Sequence, residues 1–264
     1  MQKTFLMALA WCAFSAPAHA DDDVLYRSSL IVTGDREETR IPAIAEGFDL
    51  AAQKLTGNPD IAQKPAFASL ATSAPGMVWS YTYHDRMFGV PIHDEQGTRD
   101  RPFDLTFQFD RKRMDDAVAA LDEKPWLGVR PKLALILEVT DMARSYLLAA
   151  DSVHGSDLRA SFNDASARFA IPITFARQAD LSSVTPENVD AIPHDALVGL
   201  KSKLGADAIL VGHLDWQMKE PGWHAVWRLP LSDQDQSWEI VGVNFDAAFR
   251  NAVGGAAKRL RPTF

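Results

Sequence analysis

Leu133-Ala134-Leu135-Ile136-Leu137-Glu138-Val139 is an apolar run interrupted by one carboxylate. It has strand length, and no alternation of polar residues marks a solvent face. Such a strand is covered on both faces, which calls for helices on either side of a sheet. Glu138 within it has two readings. If buried, it needs a partner or a raised pKa. If it sits at the strand end, it faces solvent, and the rarity of buried unpaired carboxylates favours this second reading.

Downstream, Leu158, Phe162, Ala165 and Phe169 recur at helical spacing over 157–169, and Pro172 stops the helix. Ile173 to Ala176 reads as a short strand, Leu181 to Pro193 as a loop, and Asp195 to Leu204 as a helix ended by Gly205. Ala208 to Trp216, Trp223 to Leu229 and Trp238 to Phe245 form an antiparallel meander with Gly-, Pro-, Ser- and Asp-rich turns. Asp246 then caps a final helix holding Phe249, Val253, Ala256 and Leu260. Lys258, Arg259 and Arg261 lie at its C-terminal end, where the helix dipole favours cations.

Upstream, Pro125 and Gly128 break the pattern. Before them, Phe103 to Phe109 alternates apolar Phe103, Leu105, Phe107 and Phe109 with polar Asp104, Thr106 and Gln108. Asp110 caps a helix with Met114, Val118 and Leu121 on its inner face. Earlier still come a strand at Val24 to Thr33, a helix ended by Gly57-Asn58, an irregular stretch from Pro59 to Gly76 and a strand at Met77 to Tyr83. The order is β-α-β-β-α, then β-α-β-α-β-β-β-α. The chain reads as α/β (α+β): two small layered lobes of mixed sheet with helices, residues 21–128 and 129–264.

Residues 1–20 read as a secretory signal, with Lys3 as the basic start, an apolar run from Phe5 to Phe14 and a cleavage box at Ala18-His19-Ala20. Cleavage after Ala20 removes Cys12, the chain's one cysteine, and leaves 244 residues. The mature protein then has no disulfide, thiolate nucleophile or thiolate metal site. That length buries about 70% of its unfolded surface without covalent staples. No later run reaches membrane-spanning length, so the expectation is a soluble periplasmic protein. Loss of Lys3 takes the net charge from −8 to −9. With no Lys/Arg block, a phosphate backbone is excluded as a partner.

Motifs for nucleotide loops, dinucleotide folds, zinc proteases, nucleophile elbows and EF-hands are missing from the sequence. No cofactor and no catalytic residue is assigned. His84-Asp85 and His93-Asp94-Glu95 flank one polar loop with zinc-capable side chains, but their spacing fits no known framework and no metal is assigned. The candidate binding residues are Trp216, Trp223, Trp227 and Trp238 of the meander, with His213. In a strand, Trp223, Ala225, Trp227 and Leu229 share one face, opposite His224, Val226 and Arg228. An exposed aromatic row grips a sugar or a partner protein; a buried one fills the space between sheet and helices, the reading that aromatic size favours.

Several segments resemble a family of exported bacterial proteins known as domain of unknown function 2066. They are Gly205-Ala206-Asp207-Ala208-Ile209-Leu210-Val211-Gly212-His213-Leu214, then Trp223-His224-Ala225-Val226-Trp227-Arg228-Leu229, and Trp238. Gln53 to Asn58, Phe109-Asp110, Trp126 and Arg130-Pro131 are similar too, although the 133–139 strand lacks the aromatic residue the family places near its end. The resemblance implies a bacterial envelope location and carries no activity, cofactor or catalytic residue. Ala206 to Leu214 also looks like a strand in exported lobes of lipoprotein, curli-secretion and flagellar-accessory proteins, which bind other proteins. The expectation is a non-catalytic accessory factor that binds another envelope protein. The alternative is a cell-wall glycan binder or hydrolase using the aromatic row.

Overall fold

The computed structural model describes residues 22–90, 101–219, 221–231 and 234–262. The signal segment and the His93-Asp94-Glu95 cluster lie outside the described residues. The first sheet is built by β1 (Arg27–Thr33), β2 (Val78–Asp85) and β3 (Pro102–Phe109) in the order β1-β3-β2, all antiparallel. The alternation in β3 works as its residues dictate: Leu105, Phe107 and Phe109 are buried, and Asp104, Thr106 and Gln108 lie on the opposite face. Helix α1 (Glu37–Thr56) covers the apolar face with Ile44, Phe48, Ala51, Ala52 and Leu55. It ends at Gly57, whose φ of 67° is left-handed and suits glycine. A short helix α2 (Phe67–Ser73) occupies the stretch read as irregular. Asp110 caps α3 (Arg111–Ala120), accepting from the Arg113 N–H at 2.9 Å.

The second sheet comprises β4 (Leu133–Asp141), β5 (Arg144–Leu147), β6 (Ile173–Phe175), β7 (Ala208–Gln217), β8 (Gly222–Leu229) and β9 (Gln236–Val243). Its order is β5-β4-β7-β8-β9, with β6 also on β4. β4 runs parallel to β6 and β7; the other pairs are antiparallel, and β7-β8-β9 is the meander. Helices α4 (Ser156–Phe169) and α6 (Phe245–Leu260) cover one face, and α5 (His194–Lys203) lies over the other. β4 is therefore buried on both sides. Leu133, Leu135, Leu137 and Val139 join the cluster under α4 and α6, while Ala134 and Ile136 join the cluster under α5.

Further local readings change: the strand read from Val24 begins only at Arg27, after a 3-10 turn at Asp22–Tyr26. Strand β5 follows β4 as a tight hairpin, and two 3-10 turns lie at Gln178–Leu181 and Pro186–Ala191, around and within the stretch read as loop. The cap of α6 is Asn244, which accepts from the Ala247 N–H at 2.8 Å; Asp246 instead sits in the first turn. One more N-terminal residue with a free amide acceptor takes the cap position.

The two sheets have separate cores, joined along the end of α1. Trp126 belongs to the second core yet lies against Gly57 of the first lobe. Arg130 is buried and stacks on Trp126 at 3.9 Å, donating to the carbonyls of Lys54 and Trp126. The negative end of the α1 dipole partly offsets this buried charge. Lys258–Asp60 (2.7 Å) and Arg261–Glu123 (2.8 Å) add ion pairs across the junction. No helix among the described residues is long and apolar enough to cross a membrane.

Candidate functional site

By strand alternation all four meander tryptophans lie on the α4/α6 side of the sheet, and Trp223, Trp227 and Trp238 pack in the core beneath those helices. Trp216 is paired with Trp223 across β7 and β8, and Trp227 with Trp238 across β8 and β9. Trp227 is fully buried against Phe162 and Phe249, over Gly212, where any side chain would collide with its ring. Trp238 is half-buried; its N–H donates to the Asn251 carbonyl, and Arg259 stacks on it at 4.1 Å. Trp216 and Trp223 are half-buried and nearly perpendicular, at 75°. The four rings do not form an exposed, coplanar platform.

His213 points to the opposite face and meets the strand carboxylate that the sequence suggested would face solvent. Glu138 is 5% exposed, because β4 continues to Asp141 and β5 folds back across it. It lies beside His213 in the β4–β7 register, with Oε2 3.1 Å from His213 Nδ1. The Ser145 and Thr140 hydroxyls donate to its other oxygen. Burial pushes the carboxyl up, but the hydrogen bonds from His213, Ser145 and Thr140 outweigh it and hold the group below its usual range. His213 Nε2 lies 2.8 Å from Asp190 Oδ1. Glu138 and then Asp190 raise the imidazole to about 9 against its burial. Nearby Asp215 is pushed up by burial and by Glu138. At neutral pH this is an imidazolium between two carboxylates. Both ring nitrogens are occupied, and the hydroxyls donate to Glu138 rather than to histidine. No nucleophile–base pair exists here. The cluster ties the 186–191 turn to the sheet.

The other candidate was not drawn from the sequence. Among the described residues, β2 is a free edge of the first sheet. A register shift between Val78 and Ser80 turns Trp79 outward, leaving it 76% exposed. Tyr81 is 45% exposed with Arg40 stacked on its ring at 4.4 Å. Trp79, Tyr81 and Arg40 surround a shallow pocket of about 420 Å³ floored by Ile44 and Val78. The Arg86 N–H bonds to Pro102 of β3, so by alternation the main-chain groups of Tyr81 and Tyr83 point away from the sheet. Alternating aromatics at 79, 81 and 83 were the available signal; a bulge and an edge position cannot be read from spacing.

A larger cleft, about 700 Å³, separates β1 and α1 from α4 and α6. The Lys54 ammonium donates to the Arg27 carbonyl there, and burial, with Arg27 nearby, lowers it to about 8. On the metal candidate, His84 Nδ1 lies 3.7 Å from Asp104, and no three-residue metal cluster occurs among the described residues.

Residues 20–127 match a family model described as Domain of unknown function (DUF8605). The matched segment contains the first sheet, α1 and the β2 edge, so the chain carries similarity to an uncharacterised domain there. DUF8605 brings no activity with it, and the match does not extend to the meander. Searches of curated proteins and of solved structures gave no match.

Proposed function

We propose that this protein is an exported, non-catalytic accessory factor that binds another envelope protein through the β2 edge. The exposed Trp79–Tyr81–Arg40 pocket carries the reading. Trp, Tyr and Arg are the side chains that dominate interface energies, and an unpaired strand edge offers main-chain hydrogen bonds to a partner. The signal-like residues 1–20 and the resemblance of Gly205 to Leu214, Trp223 to Leu229 and Trp238 to domain of unknown function 2066 belong to the same proposal. The inward orientation of the meander tryptophans lends no support to a glycan site there.

A photoreactive phenylalanine analogue at position 79, tested in intact cells, is expected to capture one discrete envelope protein. The same analogue at exposed Val153 is the control. Equal or absent capture at the two positions would sink the proposal. Fractionation with and without residues 1–20 tests export; retention of the full chain in the cytoplasm would remove the envelope part.

A further inference from the structure

We infer that the cleft between the lobes is a second binding site, taking a short peptide with both termini free, laid in extended form along β1. The site is separate from the β2 edge and does not depend on it. Its volume of about 700 Å³ falls within the range of small-ligand sites, which favour junctions between lobes.

The main chain supplies the first argument. Among the described residues, β1 is the other free edge of the first sheet. The Gly34 N–H bonds to Arg101 on the β3 side, so the main-chain groups of Ser29 and Ile31 point outward by alternation. Lys54 Nζ caps the next outward carbonyl in that series, Arg27, at 2.8 Å, which fits the same parity. Ser29 and Ile31 both line the cleft. They offer a peptide the alternating donors and acceptors of a strand.

Side chains supply the second. The side chains of Arg250, Glu46 and Asp164 line the cleft and make no side-chain hydrogen bond or close ion pair among the described residues, although Glu46 and Arg250 both act electrostatically on Arg168. Lys54 adds an ammonium with donors to spare. Charges of both signs beside a strand edge match a molecule with an amide backbone, an ammonium at one end and a carboxylate at the other. An inorganic anion would satisfy the cations and leave the acids and the strand edge unused.

The probe is tri-alanine with free termini, titrated into the full chain and followed by amide NMR shifts. Saturable shifts at Ser29 and Ile31, with a Kd of about 1 mM or tighter, are expected while Tyr81 and Tyr83 stay still. N-acetyl tri-alanine amide should bind at least about tenfold more weakly. Ser29→Pro deletes an outward N–H at an edge, where proline is tolerated, and should abolish binding; Ser29→Ala controls for the hydroxyl. Arg250→Gln, at an exposed and unpartnered position, keeps the test valid if the proline variant does not fold, and should weaken binding about tenfold. No saturation by about 10 mM, equal affinity for the capped peptide, or full affinity in Arg250→Gln would overturn the inference.

Discussion

The two sheets use the same residue type in opposite ways. In the six-stranded sheet, tryptophans face helices, and Trp227 is sealed between Phe162, Phe249 and Gly212. In the three-stranded sheet, one face and both edges are open, and Trp79 stands in solvent. A tryptophan with a covering layer is a stability element. One at an uncovered edge contributes little to folding and is available to a partner. Position within the sheet, rather than residue type, assigns the role.

Substitution tests this contrast most sharply where the effect is largest. Trp227→Ala is expected to destabilise the fold by about 3–5 kcal/mol in denaturant melts, since the ring leaves a cavity among rigid neighbours. A loss below about 1 kcal/mol would show that the second core is loosely packed.

Glu138→Ala should cost about 3 kcal/mol, because it leaves the imidazolium and two hydroxyls without their shared acceptor. His213→Phe in the same background should recover part of that loss. No recovery in a double-mutant cycle would mean the pair is not coupled.

The pH dependence is smaller. His213 has a folded pKa of about 9, above its ordinary 6.5. Its contribution is therefore complete below 6.5 and fades as pH rises through 9. A decline of about 1–2 kcal/mol between pH 6.5 and 9.5 is expected, absent in His213→Phe. A flat profile in the parent protein would refute the imidazolium assignment.

Trp79→Ala should change stability by less than about 0.5 kcal/mol while abolishing crosslinking from a probe at position 81. A large stability loss would make Trp79 a core residue like Trp227 and erase the contrast.

Much of the architecture was legible. The double-sided burial of β4 followed from Leu133 to Val139, and the inward face of β3 from its alternation. The Gly57 and Asp110 helix boundaries followed from local chemistry. Helix α2 was missed because Pro65 and Pro75 bracket it and it spans only 67–73, so its short apolar stripe of Phe67, Leu70 and Ala71 was passed over. Glu138 was misjudged because its hydrogen-bond partners lie two, seven and seventy-five positions away. Satisfaction of a buried charge by a distant strand leaves no trace in local spacing.

Periodicity, caps and turns act over a few residues, so the amino-acid sequence by itself determined most of the longer elements, the two-sided strand, the shared face of Trp223 and Trp227 and the net acidity. Tertiary structure alone decided which faces received a covering layer. It placed α4 and α6 over Trp223, Trp227 and Trp238, left both edges of the first sheet unpaired among the described residues, and brought Glu138, His213 and Asp190 together. Those outcomes depend on strand order and register, which arise from the packing of segments far apart in the chain.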